Sequence, residues 1–170
     1  MELPTTRPGL VLIELRPEDS GALFALIDRN REHLSKLEDD TAEKYPDEAS
    51  VLKSICSPTD SRRKRFGIWD NDVLVGSANL TIEGLGVTKA LLAKLGYYVG
   101  QEYTGRSYAT AAARTLCNYA FDTLNCVSIY AYVHEQNRAS RKVLEVCGLR
   151  YVNRIAGGTD LRYILHKKDR

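Results

Sequence analysis

The sequence predicts an α/β (α+β) fold, with a mixed, mostly antiparallel twisted sheet of about seven strands flanked by helices. Two observations support this prediction. Apolar runs rich in branched residues alternate along the chain with segments whose apolar residues recur at helical spacing. Three closely linked strands then precede a strand–helix–strand unit, which is typical of a parallel crossover. The length of 170 residues suits a single domain over 1–170 with a sizeable core.

The N-terminal part is predicted to hold one strand and two or three helices. Residues 10–15 (LVLIEL) are a short apolar run typical of a strand. Apolar residues recur at helical spacing across 17–38, which predicts one or two helices. A polar loop is expected over 39–45, followed by a helix that begins at Pro46 and ends near Pro58.

The middle of the chain changes to a strand pattern. Residues 66–69 and 73–80 flank Asp70-Asn71-Asp72, which is typical of a hairpin turn. A connection at 83–86 leads to a third strand at 93–99. Three strands with short links predict an antiparallel meander.

The last third is predicted to contain two helices and three strands. An alanine-rich helix with a continuous apolar stripe follows Ser107, and a strand at 127–133 completes the crossover. A second helix begins at Arg138 and stops at Cys147-Gly148, the usual place for a C-terminal glycine. The final strands are expected at about 149–155 and 161–166.

The amino-acid composition limits the classes of partner and cofactor that we expect. The 24 basic and 22 acidic residues give a net charge of +2, which does not favour nucleic acid as a partner. The four cysteines are too far apart for a zinc site and only three histidines are present, so no metal is expected. No signal pattern and no apolar run of roughly 18 residues occurs, so we expect a soluble cytoplasmic protein without a membrane partner.

The strongest local signal is a tight turn between a strand and a helix. The strand ending at Val99 leads through Gly100 and Gly105 directly into the alanine-rich helix. Such a turn leaves backbone N–H groups without acceptors at the positive end of the helix dipole, which predicts an anion site. The glycine spacing does not match the dinucleotide-binding fingerprint, and the lysine of a P-loop is absent.

Two segments together resemble the GNAT superfamily of N-acetyltransferases. Thr104-Gly105-Arg106-Ser107-Tyr108-Ala109 is similar to the [QR]-x-x-G-x-[GA] turn, except that Thr104 replaces Gln/Arg and Ser107 replaces the glycine. Residues 134–149 resemble the N-x-x-S-x-x-x-L-x-x-x-G-[FL] segment of the branch that contains the ribosomal-protein N-terminal (alanine/serine) acetyltransferases. The likeness covers about 10–167, the expected core of the domain.

The resemblance implies acetyl-CoA as co-substrate and a splay at the centre of the sheet. The pantetheine arm would pair with the strand before the turn like an added strand, and the turn would hold the pyrophosphate. The residues implied to bind the coenzyme are Tyr98, Val99, Thr104, Gly105, Arg106, Ser107, Tyr108, Ala109, Asn137 and Ser140. For Asn137 a simple helix cap is the alternative.

The resemblance also implies direct attack of a neutral amine on the thioester, assisted by a proton donor to the departing thiolate. Ser140 is the candidate acid, with a coenzyme contact or a capping role as alternatives, because Leu144 occupies the position of the tyrosine used by many family members. No base is assigned, although Glu83, Glu102 and Asp160 are possible.

The acceptor implied is a primary amine, either a protein N-terminal α-amine or a small-molecule amine. The acidic stretch 38–48 lies where acceptor loops form in the family, and it suggests a basic substrate. The alternative function is a non-catalytic GNAT-like module that binds acyl-CoA as a sensor or scaffold. We expect a monomer or a homodimer.

Overall fold

The computed structural model describes residues 1–38, 40–57, 62–85 and 90–170. The strands are β1 (Glu2–Pro4), β2 (Leu10–Glu14), β3 (Arg63–Asp70), β4 (Val73–Leu85), β5 (Ala90–Val99), β6 (Ser128–His134), β7 (Arg150–Arg154) and β8 (Asp160–His166). The α-helices are α1 (Ser20–Arg29), α2 (Arg31–Leu34), α3 (Thr41–Lys44), α4 (Glu48–Cys56), α5 (Tyr108–Asp122) and α6 (Arg138–Val146).

The strands form one 8-stranded sheet in the order β1-β2-β3-β4-β5-β6-β8-β7. The β5–β6 pair is parallel and is connected through α5, whereas the other neighbours are antiparallel. The predicted meander and crossover are therefore confirmed. Asn71, at φ 51°, supplies the left-handed turn between β3 and β4 that the hairpin requires.

The parallel pair splays apart at its carboxyl end. Residues Leu92 to Lys94 pair with Ser128 to Tyr130. Beyond this point β5 stays paired with β4 as far as Val99, while β6 follows β8 as far as His134. The two strands therefore diverge and leave a gap with unpaired backbone groups on both sides, as the resemblance implied.

Two clusters of buried side chains lie on opposite faces of the sheet. The cluster beneath α5 and α6 takes alternate residues of β5 and β6, such as Ala93, Leu95, Ile129 and Ala131. The second cluster joins α1 and α4 to the other face and includes Tyr98 at its edge. This alternation decides which side chains lie on the same face as α5 and which lie on the opposite face of the gap.

The structure corrects four local predictions. An eighth strand, β1, lies at the sheet edge, where the missing N–H of Pro4 is tolerated. Helix α3 lies within the predicted loop at 39–45. Strand β3 begins at Arg63, earlier than the predicted start at residue 66. Strand β4 extends to Leu85 and shortens the expected connection. The predictions that fall on Asp39, Pro58 and Gly86 lie outside the described residues.

None of the helices in the described part of the chain is both long and apolar enough to cross a membrane.

Candidate coenzyme-binding and acyl-transfer site

The turn between β5 and α5 forms a backbone cradle. A 3-10 turn at Gln101–Tyr103 follows Gly100, and the chain then reverses at Gly105, with φ +74°, and at Ser107, with φ 61°. Helix α5 begins at the next residue, Tyr108. Residues 104 to 107 are exposed, so the cradle is open to a ligand.

The cradle presents a row of unused donors. Among the described residues, no backbone amide from Gly105 to Thr110 donates to a protein acceptor. The first amide of α5 to do so is that of Ala111, 3.0 Å from the carbonyl oxygen of Ser107. These amides and the helix dipole together favour an anion at this position.

Tyr108 anchors the cradle through its side chain. Its hydroxyl donates a hydrogen bond to the Asp70 carboxylate, and the Arg7 guanidinium lies 4.8 Å from its ring centroid. Because the side chain is buried, Tyr108 has only its backbone N–H to offer a ligand. Arg106 is exposed at the rim of the cradle, with its guanidinium carbon 5.9 Å from the Tyr103 ring centroid.

Asn137 and Ser140 lie on the other side of the gap, at the start of α6. The Asn137 Oδ1 accepts a hydrogen bond from the Ser140 backbone N–H at 3.0 Å, so Asn137 is the helix cap. The side-chain NH₂ of Asn137 has no acceptor within the described chain. The same residue can therefore cap α6 and donate to a ligand in the gap.

Tyr97 joins the two sides of the gap. Its hydroxyl lies 3.0 Å from Ser140 Oγ and donates to the Ser140 carbonyl oxygen at 3.2 Å. Burial raises the pKa of Tyr97, and the hydrogen bond to Ser140 offsets only part of this rise. Tyr97 therefore remains a neutral donor at physiological pH. This contact was not predicted from the sequence.

The sequence model of the acetyltransferase (GNAT) domain matches residues 9–150. The chain belongs to the GNAT acetyltransferase family. Its fold is similar to that of the ribosomal-protein alpha-N-acetyltransferase RimL in complex with coenzyme A, with a TM-score of 0.83, 15% identity and 98% of each chain covered.

Two further solved structures share the fold of this GNAT domain. Ribosomal-protein-S5-alanine acetyltransferase from Vibrio fischeri gives a TM-score of 0.83 at 16% identity, covering 99% of this chain and 98% of that chain. Mycobacterium smegmatis RimJ in complex with a CoA-disulfide gives a TM-score of 0.79 at 20% identity, covering 99% of this chain and 88% of that chain.

The GNAT turn of this chain shows why its family pattern contains a glycine. Ser107 stands at that position and adopts a left-handed conformation, which costs a non-glycine residue roughly 1–2 kcal/mol. The Ser107 side chain makes no capping hydrogen bond, so nothing from the cap offsets this cost. Its hydroxyl is instead available to a ligand at the cradle.

The position of the usual GNAT tyrosine is occupied by a core residue. Leu144 is 1% exposed in the cluster beneath α6 and carries no proton donor. The hydroxyl groups that do lie together near the start of α6 are those of Ser140 and Tyr97.

The three possible bases of this GNAT site are all engaged elsewhere or exposed. Glu83 accepts a hydrogen bond from Tyr130 at 2.8 Å, and burial together with this carboxylate raises the pKa of Tyr130. Glu102 forms an ion pair with Arg29 at 3.2 Å. Asp160 is exposed at the start of β8. Within the described ranges, no group of three or more His, Cys, Asp or Glu residues is placed to hold a metal ion.

Proposed function

We propose that the protein transfers an acetyl group from acetyl-CoA to the α-amine of a protein N-terminus by direct attack on the thioester. The observation that carries this proposal is the pairing of two features at one gap in the sheet. Free amides of residues 105 to 110 lie at one side, and the Ser140 hydroxyl lies at the other. An extended ligand with a phosphate end and a reactive thioester end suits that arrangement.

The coenzyme would be held mainly by backbone. The N–H groups of residues 105 to 110, with the exposed Arg106 and the Ser107 hydroxyl, would meet the pyrophosphate. Thr104 is less available, because its hydroxyl donates to the Gln101 carbonyl oxygen at 2.8 Å. The pantetheine arm would pair with the backbone of Val99 where β5 has left β6, while the backbone of Tyr98, which pairs with Ser77 of β4, fixes the strand beside it. The NH₂ of Asn137 would donate to the arm from across the gap.

The transfer needs few protein groups. The amine nitrogen bonds to the acetyl carbon, the carbon–sulfur bond breaks, and the amine releases its proton to water. Ser140 donates its hydroxyl proton to the departing sulfur and regains one from water. The Val99 N–H polarises the thioester oxygen as negative charge develops there. Tyr97 is a positioning residue, because it contacts Ser140 rather than the reacting atoms.

An α-amine suits a site in which the candidate carboxylates are engaged elsewhere or exposed. Its pKa is about 8, compared with about 10.4 for a lysine amine, so a useful fraction is neutral without a strong base. The similarity in fold to RimL and to a ribosomal-protein alanine acetyltransferase supports a protein N-terminus over a small amine.

Thiol release from acetyl-CoA, measured across a panel of peptides, polyamines and lysine derivatives, tests the proposal. We expect peptides with a free α-amine to raise release well above hydrolysis, and peptides with a blocked α-amine to have no effect. Gly105→Val, which adds bulk in the cradle, should abolish release while circular dichroism shows a folded domain. Acetyl-CoA binding with no acceptor above hydrolysis would favour the non-catalytic module.

A further inference from the structure

The sheet face opposite α5 and α6 carries two cation–aromatic pairs beside the gap. The Lys94 Nζ lies 5.2 Å from the Tyr132 ring centroid, and the Arg162 guanidinium carbon lies 5.2 Å from the Tyr130 ring centroid. The two tyrosine rings are 5.4 Å apart and meet edge to face. We call Lys94, Tyr130, Tyr132 and Arg162 the cationic patch.

The cationic patch borders the place where the strands separate. Lys94 and Tyr130 form the last pair between β5 and β6, and Tyr132 lies two residues further along β6, within the splayed part. Arg162 is the partner of Tyr132 on β8. The residues that flank these positions along β5, β6 and β8 point to the other face of the sheet, into the core beneath α5 and α6. The patch therefore lies on the opposite face from the helices that form the coenzyme side.

This face is exposed at Tyr132 of β6, which is 38% exposed, and partly exposed at Arg162 of β8, whereas Tyr130 is buried. The cluster that α1 and α4 form on this face takes Trp69 of β3, Leu74 of β4 and Tyr98 of β5, and none of its described members lies on β6 or β8. An acceptor can therefore reach the gap across the cationic patch while the coenzyme occupies the side of α5 and α6.

The patch lacks a matching protein carboxylate. Within the described residues, neither Lys94 nor Arg162 forms an ion pair, and the buried Nε of Arg162 has no hydrogen-bond acceptor. Two acids share this face. The Glu83 carboxylate is bonded to the Tyr130 hydroxyl. Asp160, two residues before Arg162 on β8, forms no ion pair with it in the described part of the chain. A guanidinium that is partly removed from water without an acceptor is costly, and a ligand carboxylate would satisfy it.

We propose that the cationic patch binds the N-terminal segment of the acceptor and selects an acidic side chain at its second or third residue. This inference rests on the proposed function. An extended peptide advances roughly 3.3–3.6 Å per residue, and neighbouring strands lie about 4.8 Å apart. A carboxylate one or two residues behind an amine in the gap therefore reaches Lys94 or Arg162. The exposed Tyr132 ring contacts the peptide between these points.

Three carboxylates of the acidic stretch that suggested a basic substrate have partners within the protein. Asp40 pairs with Lys44, Asp47 caps α4 by accepting from the Ser50 N–H, and Glu48 accepts from Ser20. These three carboxylates are therefore engaged, whereas Glu43 is exposed. The charges of Lys94 and Arg162 lie beside the gap, where the acceptor must pass.

Steady-state acetylation of three peptides that differ only at the second residue, Ser-Asp, Ser-Asn and Ser-Lys, tests the inference. For the wild type we expect kcat/KM for Ser-Asp to exceed that for Ser-Asn by about tenfold, mainly through KM. Arg162→Gln and Lys94→Gln should each remove most of this preference, because they lower kcat/KM for Ser-Asp much more than for Ser-Asn. Lys94→Glu should favour Ser-Lys. Arg16→Gln, a change of an exposed arginine remote from the gap, should behave as wild type.

The outcomes separate the two proposals. Lys94 is exposed, so its variants keep the test valid if Arg162→Gln fails to fold. The inference alone would be overturned if the wild type gave equal kcat/KM values for Ser-Asp and Ser-Asn, and also showed no preference between peptides that carry Asp or Asn at the third residue. Acetylation of none of these peptides would contradict the proposed function, and the inference would fall with it.

Discussion

The Tyr97 hydroxyl lies 3.0 Å from Ser140 Oγ, and this contact joins β5 to α6 across the gap in the sheet. The two residues are 43 positions apart in the sequence. Tyr97 also donates to the Ser140 carbonyl oxygen, so its ring is held by two contacts. The arrangement orients the Ser140 hydroxyl beside the gap, where the departing sulfur of the coenzyme is proposed to lie.

Ser140→Ala should lower kcat by about 10²-fold or more, because it removes the proposed donor to the thiolate. The KM for acetyl-CoA should change much less, since the backbone N–H of Ser140 still meets its Asn137 cap. Initial rates of thiol release at varied acetyl-CoA give both constants. A rise in KM at constant kcat would make Ser140 a coenzyme contact instead.

Tyr97→Phe should lower kcat by about tenfold, because Ser140 loses its orientation but keeps its proton. The double variant Tyr97→Phe/Ser140→Ala should be no slower than Ser140→Ala, since Tyr97 acts through Ser140. Tyr119→Phe is the matched control, as it removes the hydroxyl of another buried tyrosine, on α5. Additive effects in the double variant would show that Tyr97 acts independently of Ser140.

Ser107→Gly should stabilise the protein by about 1 kcal/mol, because glycine adopts the left-handed conformation without the steric cost that serine carries. Urea unfolding measures the change. Gly105→Ala, at φ +74°, should shift the midpoint in the opposite direction. A loss of stability in Ser107→Gly would mean that Ser107 makes a compensating contact.

Variants of Asn137 separate capping from coenzyme binding. Asn137→Ala should cost about 1 kcal/mol of stability and also raise the Kd for acetyl-CoA. Asn137→Asp keeps an oxygen for the Ser140 N–H, so stability should return, but it lacks the NH₂ donor, so affinity should not. Thermal unfolding and titration calorimetry provide the two readouts. Full recovery of affinity in Asn137→Asp would leave Asn137 as a cap only.

The buried thiol of Cys117 should make the protein less stable in alkali. Burial raises its pKa from 9.0 to about 12, so the folded state keeps a proton that the unfolded state releases. The contribution is fully present below about pH 9 and declines by up to about 1.4 kcal/mol per pH unit above it. Tyr97 and Tyr130, whose pKa values are also raised, act in the same direction.

Comparison of the wild type with Cys117→Ala isolates this contribution. The variant should have a lower free energy of unfolding at every pH because it packs less well. Between pH 9 and 11, however, its free energy of unfolding should fall less steeply with pH, by the slope that corresponds to about one proton. Cys56→Ala, which changes an exposed cysteine at the end of α4, should keep the wild-type slope. Parallel slopes for wild type and Cys117→Ala would show that the thiol is not protected.

Local patterns predicted most of the fold because they depend on neighbours in the chain. The turn at Asn71 and the stop at Gly148, with φ +91°, follow from residues that tolerate left-handed backbone. The cradle at 104–109 was predictable for the same reason. Strand β1 was not, since three residues that end in proline carry no alternating pattern.

Contacts across the sheet could not be predicted from neighbouring residues. The contact between Tyr97 and Ser140 depends on the alternation of β5 and on where α6 begins after β6. The pair formed by Tyr130 and Arg162 depends on β8 lying beside β6, which reverses the chain order of the last two strands. The contacts on both sides of the gap could therefore be identified only from the order of the strands in the sheet.

The most direct test of the central claim is mass spectrometry of a Ser-Asp peptide after incubation with deuterium-labelled acetyl-CoA and the protein. We predict one labelled acetyl group on the α-amine, with an internal lysine unmodified, and no product from Gly105→Val. Label on the lysine alone, or coenzyme binding with no labelled peptide, would contradict the account of this site as an N-terminal acetyltransferase.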